Sequence, residues 1–210
     1  MKRICLVSFI IIVTGFLFSG LVNAEEWRLP LALTYTTGHE DVNEIIETNN
    51  SIGEGTTDSD SGYIPASISF QPYLQLDNGL RLGAGIGPVM ATFGDVSFYD
   101  IPINLNAGYT FNPAANISPY FRAGLVNHIL SGDYVKGSNP AFFMGIGVEF
   151  FRLRDIGLGV ELAYDTSRLS VEKTTRTYYF DTLLQKDTSY ISRGKEDVKV
   201  GWIFSIYTIF

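Results

Sequence analysis

The chain has 210 residues, is 46% hydrophobic, and carries a formal net charge of −7 with a single cysteine. The acidic balance excludes a nucleic-acid binder, which needs a basic footprint. A lone Cys5 excludes an internal disulfide, and its loss with a leader peptide would also exclude thiolate chemistry and Cys-based metal sites.

Lys2 and Arg3 precede an apolar run from Ile4 to Phe18, followed by Ser19-Gly20 and Val22-Asn23-Ala24. Small residues stand where signal peptidase reads, so residues 1–24 are expected to be a cleaved leader and 25–210 one mature domain. Cys5 lies at the start of the apolar run rather than at the cleavage site, so it is not a lipoprotein anchor. After Ala24 no apolar stretch approaches the ~20 residues of a spanning helix. A membrane protein without such helices is expected to close its strands into a barrel, because lipid cannot satisfy an open edge.

Period-2 alternation predicts eight strands, near 27–37, 62–76, 80–91, 98–111, 118–130, 141–151, 156–167 and 197–210. The connections at 77–79, 112–117 and 152–155 are short. Those at 38–61 and 168–196 are long, and 92–97 and 131–139 are intermediate. The short ones fall on one end and the longer ones on the other, as in outer-membrane proteins. The expected fold is an all-β, eight-stranded antiparallel up-and-down transmembrane β-barrel with both termini in the periplasm.

Each strand has an apolar face, for example Phe142, Met144, Ile146, Val148 and Phe150. The opposite face carries Gly83, Gly85, Asn104, Asn106, Gly145, Gly147, Gly157 and Gly159. Small residues suit a narrow interior, so the apolar face is placed in lipid. Trp27, Tyr109, Phe111, Phe121, Phe150 and Phe210 are then expected at the periplasmic rim, and Tyr35, Tyr63, Tyr99, Phe142 and Tyr164 toward the outer rim. Pro30, Pro65, Pro72, Pro88 and Pro102 lie inside the proposed strands and demand bulges or shifted limits.

This placement turns Arg28, Arg81, Arg122, Glu149, Glu161, Asp165 and Lys199 inward. Unpaired buried charge is costly, so Arg28, Arg81, Arg122, Glu149 and Glu161 are expected to form a salt-bridged charge network that fills the lumen. A gated proton or ion path is the alternative. Eight strands leave an interior about filled by side chains, which disfavours a wide pore.

The segments Ser118-Pro119-Tyr120-Phe121-Arg122-Ala123-Gly124, Gly145-Ile146-Gly147-Val148-Glu149-Phe150 and Gly157-Leu158-Gly159-Val160-Glu161-Leu162-Ala163-Tyr164, with the strand from Gly201 to Phe210, resemble the small outer-membrane β-barrels of the OmpA/OmpX type. That resemblance implies that Trp202, Phe204, Ile206 and Phe210 form the sorting signal read by the barrel assembly machinery; Thr208 departs from its hydrophobic pattern. The periplasmic peptidoglycan-binding domain of that family is not expected, since nothing follows Phe210.

The candidates for chemistry are few. His128, Ser131 and Asp133 superficially match lipid A deacylases, but Ser131 is three residues after His128 rather than two. The segment 38–61 holds Glu40, Asp41, Glu44, Glu47, Glu54, Asp58 and Asp60 without a Lys or Arg, and is read as a solvated loop. Asp58-Ser59-Asp60-Ser61-Gly62 lacks the later ligands of a calcium loop. The segment 168–196 is mixed in charge and rich in Tyr; it is a loop, or a hairpin running past the bilayer whose edge recruits a partner.

The function expected is a non-enzymatic outer-membrane protein serving envelope integrity or surface interaction through 38–61 and 168–196. The alternatives are a narrow conduit for ions or small apolar molecules, as in OmpW-type barrels, and a lipid A-modifying hydrolase. No catalytic group, cofactor or metal is assigned. The partners expected are outer-membrane lipid, lipopolysaccharide and the assembly machinery, with the chain a monomer.

Overall fold

Alternation of apolar and small polar residues builds a single antiparallel sheet that curls until one face looks across at itself. The computed structural model describes residues 26–54, 66–87, 89–93, 96–132, 134–152, 156–181 and 186–210. The expected leader at 1–24, the calcium-like Asp58 to Gly62 stretch, and Asp133 lie outside the described residues.

Among the described residues the strands are β1 (Glu26–Arg28), β2 (Pro30–Thr36), β3 (Ala66–Phe70), β4 (Tyr73–Gln75), β5 (Leu80–Ile86), β6 (Val89–Phe93), β7 (Val96–Thr110), β8 (Ile117–Gly132), β9 (Val135–Ser138), β10 (Ala141–Phe150), β11 (Gly157–Asp181) and β12 (Lys186–Ile209), with a helix, α1 (Gly38–Glu54), between β2 and β3. The expectation of an eight-stranded barrel is corrected by the pairing pattern. One sheet of twelve strands follows the path β1-β4-β5-β3-β2-β12-β11-β10-β8-β7-β6, with β1 and β6 at its ends and β9 on β11. Extra pairings β5–β7 and β3–β6 bridge across that path. This branched sheet replaces the regular ring of eight transmembrane strands.

The added interruptions have local causes. The expected first strand breaks at Leu29, before Pro30, and the second at Gln71 and Pro72. Proline cannot donate to a ladder, so pairing restarts beyond it. The third breaks after Gly87, whose N–H bonds the Pro102 carbonyl at 3.2 Å. Pro102 and Pro119 stay inside β7 and β8, opposite His128 and Val148.

The long connections differ in outcome: the first corrects the expected loop, and the second takes the hairpin form of the two expected. Residues 38–54 form α1 rather than a loop. Val42, Ile45, Ile46 and Asn49 are spaced to share one helical face, and all four are buried. Glu40 and Asp41 occupy the first turn, where negative charge suits the helix dipole. Gly38 is required by proximity: a Cβ there would sit 2.0 Å from the Lys199 carbonyl oxygen. The helix packs over one end of the interior, against Phe98, Leu169, Val171, Val198 and Val200.

The segment 168–196 is a hairpin, because β11 and β12 pair continuously from Arg168↔Lys199 to Asp181↔Lys186. A bulge between Asp165 and Arg168, with Gly201 at φ 77°, shifts which residues point inward. Ser205, Tyr207 and Ile209 are buried below it, and Val198 and Val200 above it. Lys199, expected inward, is therefore exposed.

The outer face of the sheet is apolar. Leu33, Ile68, Leu125, Phe142, Met144, Ile146 and Ile206 are all more than half exposed. Tyr109, Phe111 and Phe121 cluster at one rim with centroids 5.3–6.4 Å apart, and Tyr164 meets Trp202 edge-on at 5.0 Å at the other. The buried face holds Arg, Glu, Asp, His, Ser and Thr. This is the reverse of the partition in a water-soluble fold.

Candidate functional site

Glycine on the inner face makes room for flat aromatic side chains, and those carry the buried charges. A Cβ on Gly159 would lie 2.1 Å from the Tyr207 ring, and one on Gly147 would lie 2.5 Å from the Tyr120 ring. Both rings therefore lie directly over glycine backbone. Arg81 from β5 is sandwiched between Tyr73 and Tyr120, 3.7 and 4.1 Å from the ring centroids. Stacking of this kind stabilises a desolvated guanidinium.

Glu149, fully buried on β10, gathers the lower half of the interior. Its Oε1 accepts from Tyr73 Oη at 2.8 Å and Arg81 Nη1 at 3.1 Å. Its Oε2 lies 3.1 Å from Arg152 Nε, an ion pair whose angle is not that of a hydrogen bond. Arg152 spends its other nitrogens on the Pro113 carbonyl and Gln75 Oε1, at 2.8 and 3.1 Å. Arg28 donates to the Arg152 carbonyl at 2.9 Å and pairs with Glu26 at 2.5 Å.

Glu161 on β11 binds Arg122 through two parallel bonds of 2.6 Å and accepts from Tyr120 Oη at 2.7 Å. Arg122 also donates to Gln71 Oε1 at 2.7 Å. Tyr207 Oη joins the two clusters, 2.9 Å from Tyr120 Oη and 3.4 Å from Glu149. The five charged residues singled out from sequence, Arg28, Arg81, Arg122, Glu149 and Glu161, are all buried and all paired.

A second cluster lies nearer the helix and was not foreseen. Asp100, fully buried on β7, receives His39 Nε2 from α1 at 2.7 Å and His128 Nδ1 from β8 at 2.8 Å. His128 Nε2 lies 2.9 Å from Asp165, which also accepts the Ser167 backbone N–H at 2.7 Å. The available signal was strand parity. Asp100 shares the face of Asn104 and Asn106, and His128 stands opposite Pro102.

The hydrolase reading fails on this geometry. Both ring nitrogens of His128 are held by carboxylates, and Ser131 is exposed. A nucleophile must sit within hydrogen-bond reach of its base. Among the described residues no group of three or more His, Cys, Asp or Glu is arranged to hold a metal.

Between the two clusters lies a cavity of about 60 Å³, bordered by Thr34, Ser69, Ser205, Asn104, Arg122 and His128, among others. Its walls mix these polar groups with apolar ones such as Val126, Phe143, Val200 and Ile203, and it has room for a few water molecules. Trp202, Phe204, Ile206 and Phe210, the proposed sorting residues, face outward and are about half to two-thirds exposed.

No protein-family model matches the chain, and no curated protein matches it in sequence. Solved structures do. The outer membrane protein OprG from Pseudomonas aeruginosa superposes with a TM-score of 0.54 at 8% identity, over 89% of this chain and 95% of that one. The outer membrane protein AlkL gives 0.49 at 15% identity, over 90% and 91%. Neisserial surface protein A gives 0.47 at 14%, over 89% and 96%. At these identities the OprG match is a likeness of fold, and nothing in it singles out the OmpA/OmpX type.

Proposed function

We propose that this chain is a non-enzymatic bacterial outer-membrane protein that works at the cell surface through the β11–β12 hairpin, while its interior stays sealed. The observation that carries this reading is the reach of the hairpin. On β11 and β12 the apolar outer face ends at the Tyr164–Trp202 pair, yet both strands continue for about sixteen residues beyond it. At ~3.3 Å per residue this is a strand length of about 50 Å, whose lower part lies against α1 and β9 and whose upper part projects. Tyr178, Tyr179, Phe180, Tyr190 and Ile191 near its end are exposed, more apolar surface than a solvated hairpin requires.

The inverted partition of the sheet supports a lipid surround, as does the fold likeness to OprG. The packed arginines, glutamates and tyrosines support a closed interior over a conduit. Trp202, Phe204, Ile206 and Phe210 lie outward in the last strand, where assembly machinery and lipid would meet them. Outer-membrane lipid and lipopolysaccharide are the surrounding partners, and both termini lie on the periplasmic side.

Labelling of single-cysteine variants tests this. Ser192→Cys, in the hairpin, should react with a membrane-impermeant maleimide in intact cells. Asn116→Cys, in the turn at the opposite end, should react only after the outer membrane is permeabilised. Protection of position 192 with labelling of position 116 would reverse the orientation and remove the proposal.

A further inference from the structure

We propose that the outward side of the β11–β12 hairpin, just above the aromatic rim, is a binding surface for the phosphate groups of lipopolysaccharide. The chain as a whole is acidic, with a net charge of −7. Yet among the described residues every basic side chain that is not buried lies on β9, β11 or β12, and none lies at the opposite rim marked by Tyr109, Phe111 and Phe121. Positive charge at one face of the membrane only fits a bilayer whose two leaflets carry different headgroups.

Strand alternation decides which way these charges point. Asp165, Ser167, Leu169 and Val171 are buried along β11, so Tyr164, Thr166, Arg168 and Glu172 lie on its outward side. Residues directly opposite on a paired strand share that side, which places Lys199 beside Arg168 and Lys195 beside Glu172. Lys136 and Arg193 reach the same side, because Glu172 pairs with them at 3.0 and 3.8 Å. Asp197, opposite Ser170, lies there too. Five basic residues therefore stand against two acidic ones on this surface. Arg168, Lys195 and Lys199 are exposed. Among the described residues they enter none of the ion pairs of these strands, which join Lys136 and Arg193 to Glu172 and Lys173 to Glu196.

Height selects the partner. Arg168 follows Tyr164 by about 13 Å along a strand that rises ~3.3 Å per residue. The Tyr164–Trp202 pair marks the level where rings meet headgroups, so Arg168 and Lys199 lie among the phosphates just beyond it. A guanidinium binds phosphate through charge-assisted, bidentate hydrogen bonds, and the ammonium groups of Lys195 and Lys199 add point charge beside it. With the hairpin outside the cell, the anionic lipid at that level is lipopolysaccharide. The identity of the lipid rests on that orientation.

The test uses the purified, folded full chain in a neutral detergent. Binding of bisphosphorylated lipid A is compared with binding of the same lipid stripped of its phosphates, and of phosphatidylglycerol. The unaltered chain should bind bisphosphorylated lipid A about tenfold more tightly than either. The double variant Arg168→Gln, Lys199→Gln should lose about tenfold in affinity for it, since each basic residue at an anionic surface contributes a severalfold factor. Lys173→Gln, on the other side of the hairpin, should leave the affinity unchanged. Equal binding of the phosphate-free lipid, equal binding of phosphatidylglycerol, or undiminished affinity in the folded double variant would each overturn the proposal. The lipid comparison on the unaltered chain decides it even where the variant does not fold. Binding in detergent does not depend on which side of the membrane the hairpin occupies, so its failure is distinct from a reversed result in the maleimide labelling, which reads orientation alone.

Discussion

At the scale of the residue, Glu149 is the hinge of the interior. One carboxylate holds Tyr73, Arg81 and Arg152 at once, so its removal leaves the Arg81 and Arg152 guanidiniums without their carboxylate in a desolvated site. Breaking a buried pair from one side costs about 3–5 kcal/mol. Glu149→Ala and Glu161→Ala should therefore each lower the temperature at which the folded band converts to the unfolded one on gels. Unchanged heat resistance in both variants would refute the view that these charges hold the interior closed. Arg81, Arg122, Glu149 and Glu161 could be chosen from sequence because each shares strand parity with glycines. Arg152 could not: it lies in a turn, where alternation gives no direction, and the structure turns it fully inward.

At the scale of the element, strands with uninterrupted alternation were legible almost to the residue. β10 runs Ala141–Phe150 where 141–151 was expected, and β8 runs Ile117–Gly132 where 118–130 was expected. The strands carrying proline were legible in place but not in continuity, since the missing donor at Pro30 and Pro72 splits them. The helix was missed because seven carboxylates in 38–61 suggested a solvated loop. The competing signal, Val42, Ile45, Ile46 and Asn49 on one face, spans only two turns. Its docking is held by that face and by the His39–Asp100 contact. Ile46→Ala should weaken docking by about 2–5 kcal/mol, the usual range for truncating a buried isoleucine. A glutamate-specific protease should then cut at Glu44 and Glu47 in the variant faster than in the parent; equal rates would show that the helix is held by something else.

At the scale of the whole molecule, two clusters and a helix stand in series along the interior. Rings of Tyr73, Tyr120 and Tyr207 with their arginines fill one end, the His39–Asp100–His128–Asp165 cluster crosses the other, and α1 covers it. The chamber between them is small and bordered by side chains already hydrogen-bonded, such as Thr34 to Ser69 and Ser205. The general plan, apolar outside and charged inside, followed from the glycine face alone. The twelve-strand path did not, because pairing across prolines and the β5–β7 and β3–β6 bridges is decided by contacts distant in sequence. Nor did alternation alone place the bulge at Asp165 to Arg168, which sends Lys199 outward.

A sealed interior leaves the hairpin as the part of the molecule that does the work. Reconstitution of the purified chain in planar bilayers tests it most directly. No steady single-channel steps are expected at any applied voltage that the bilayer withstands. Reproducible unitary conductance from the unaltered chain would contradict it.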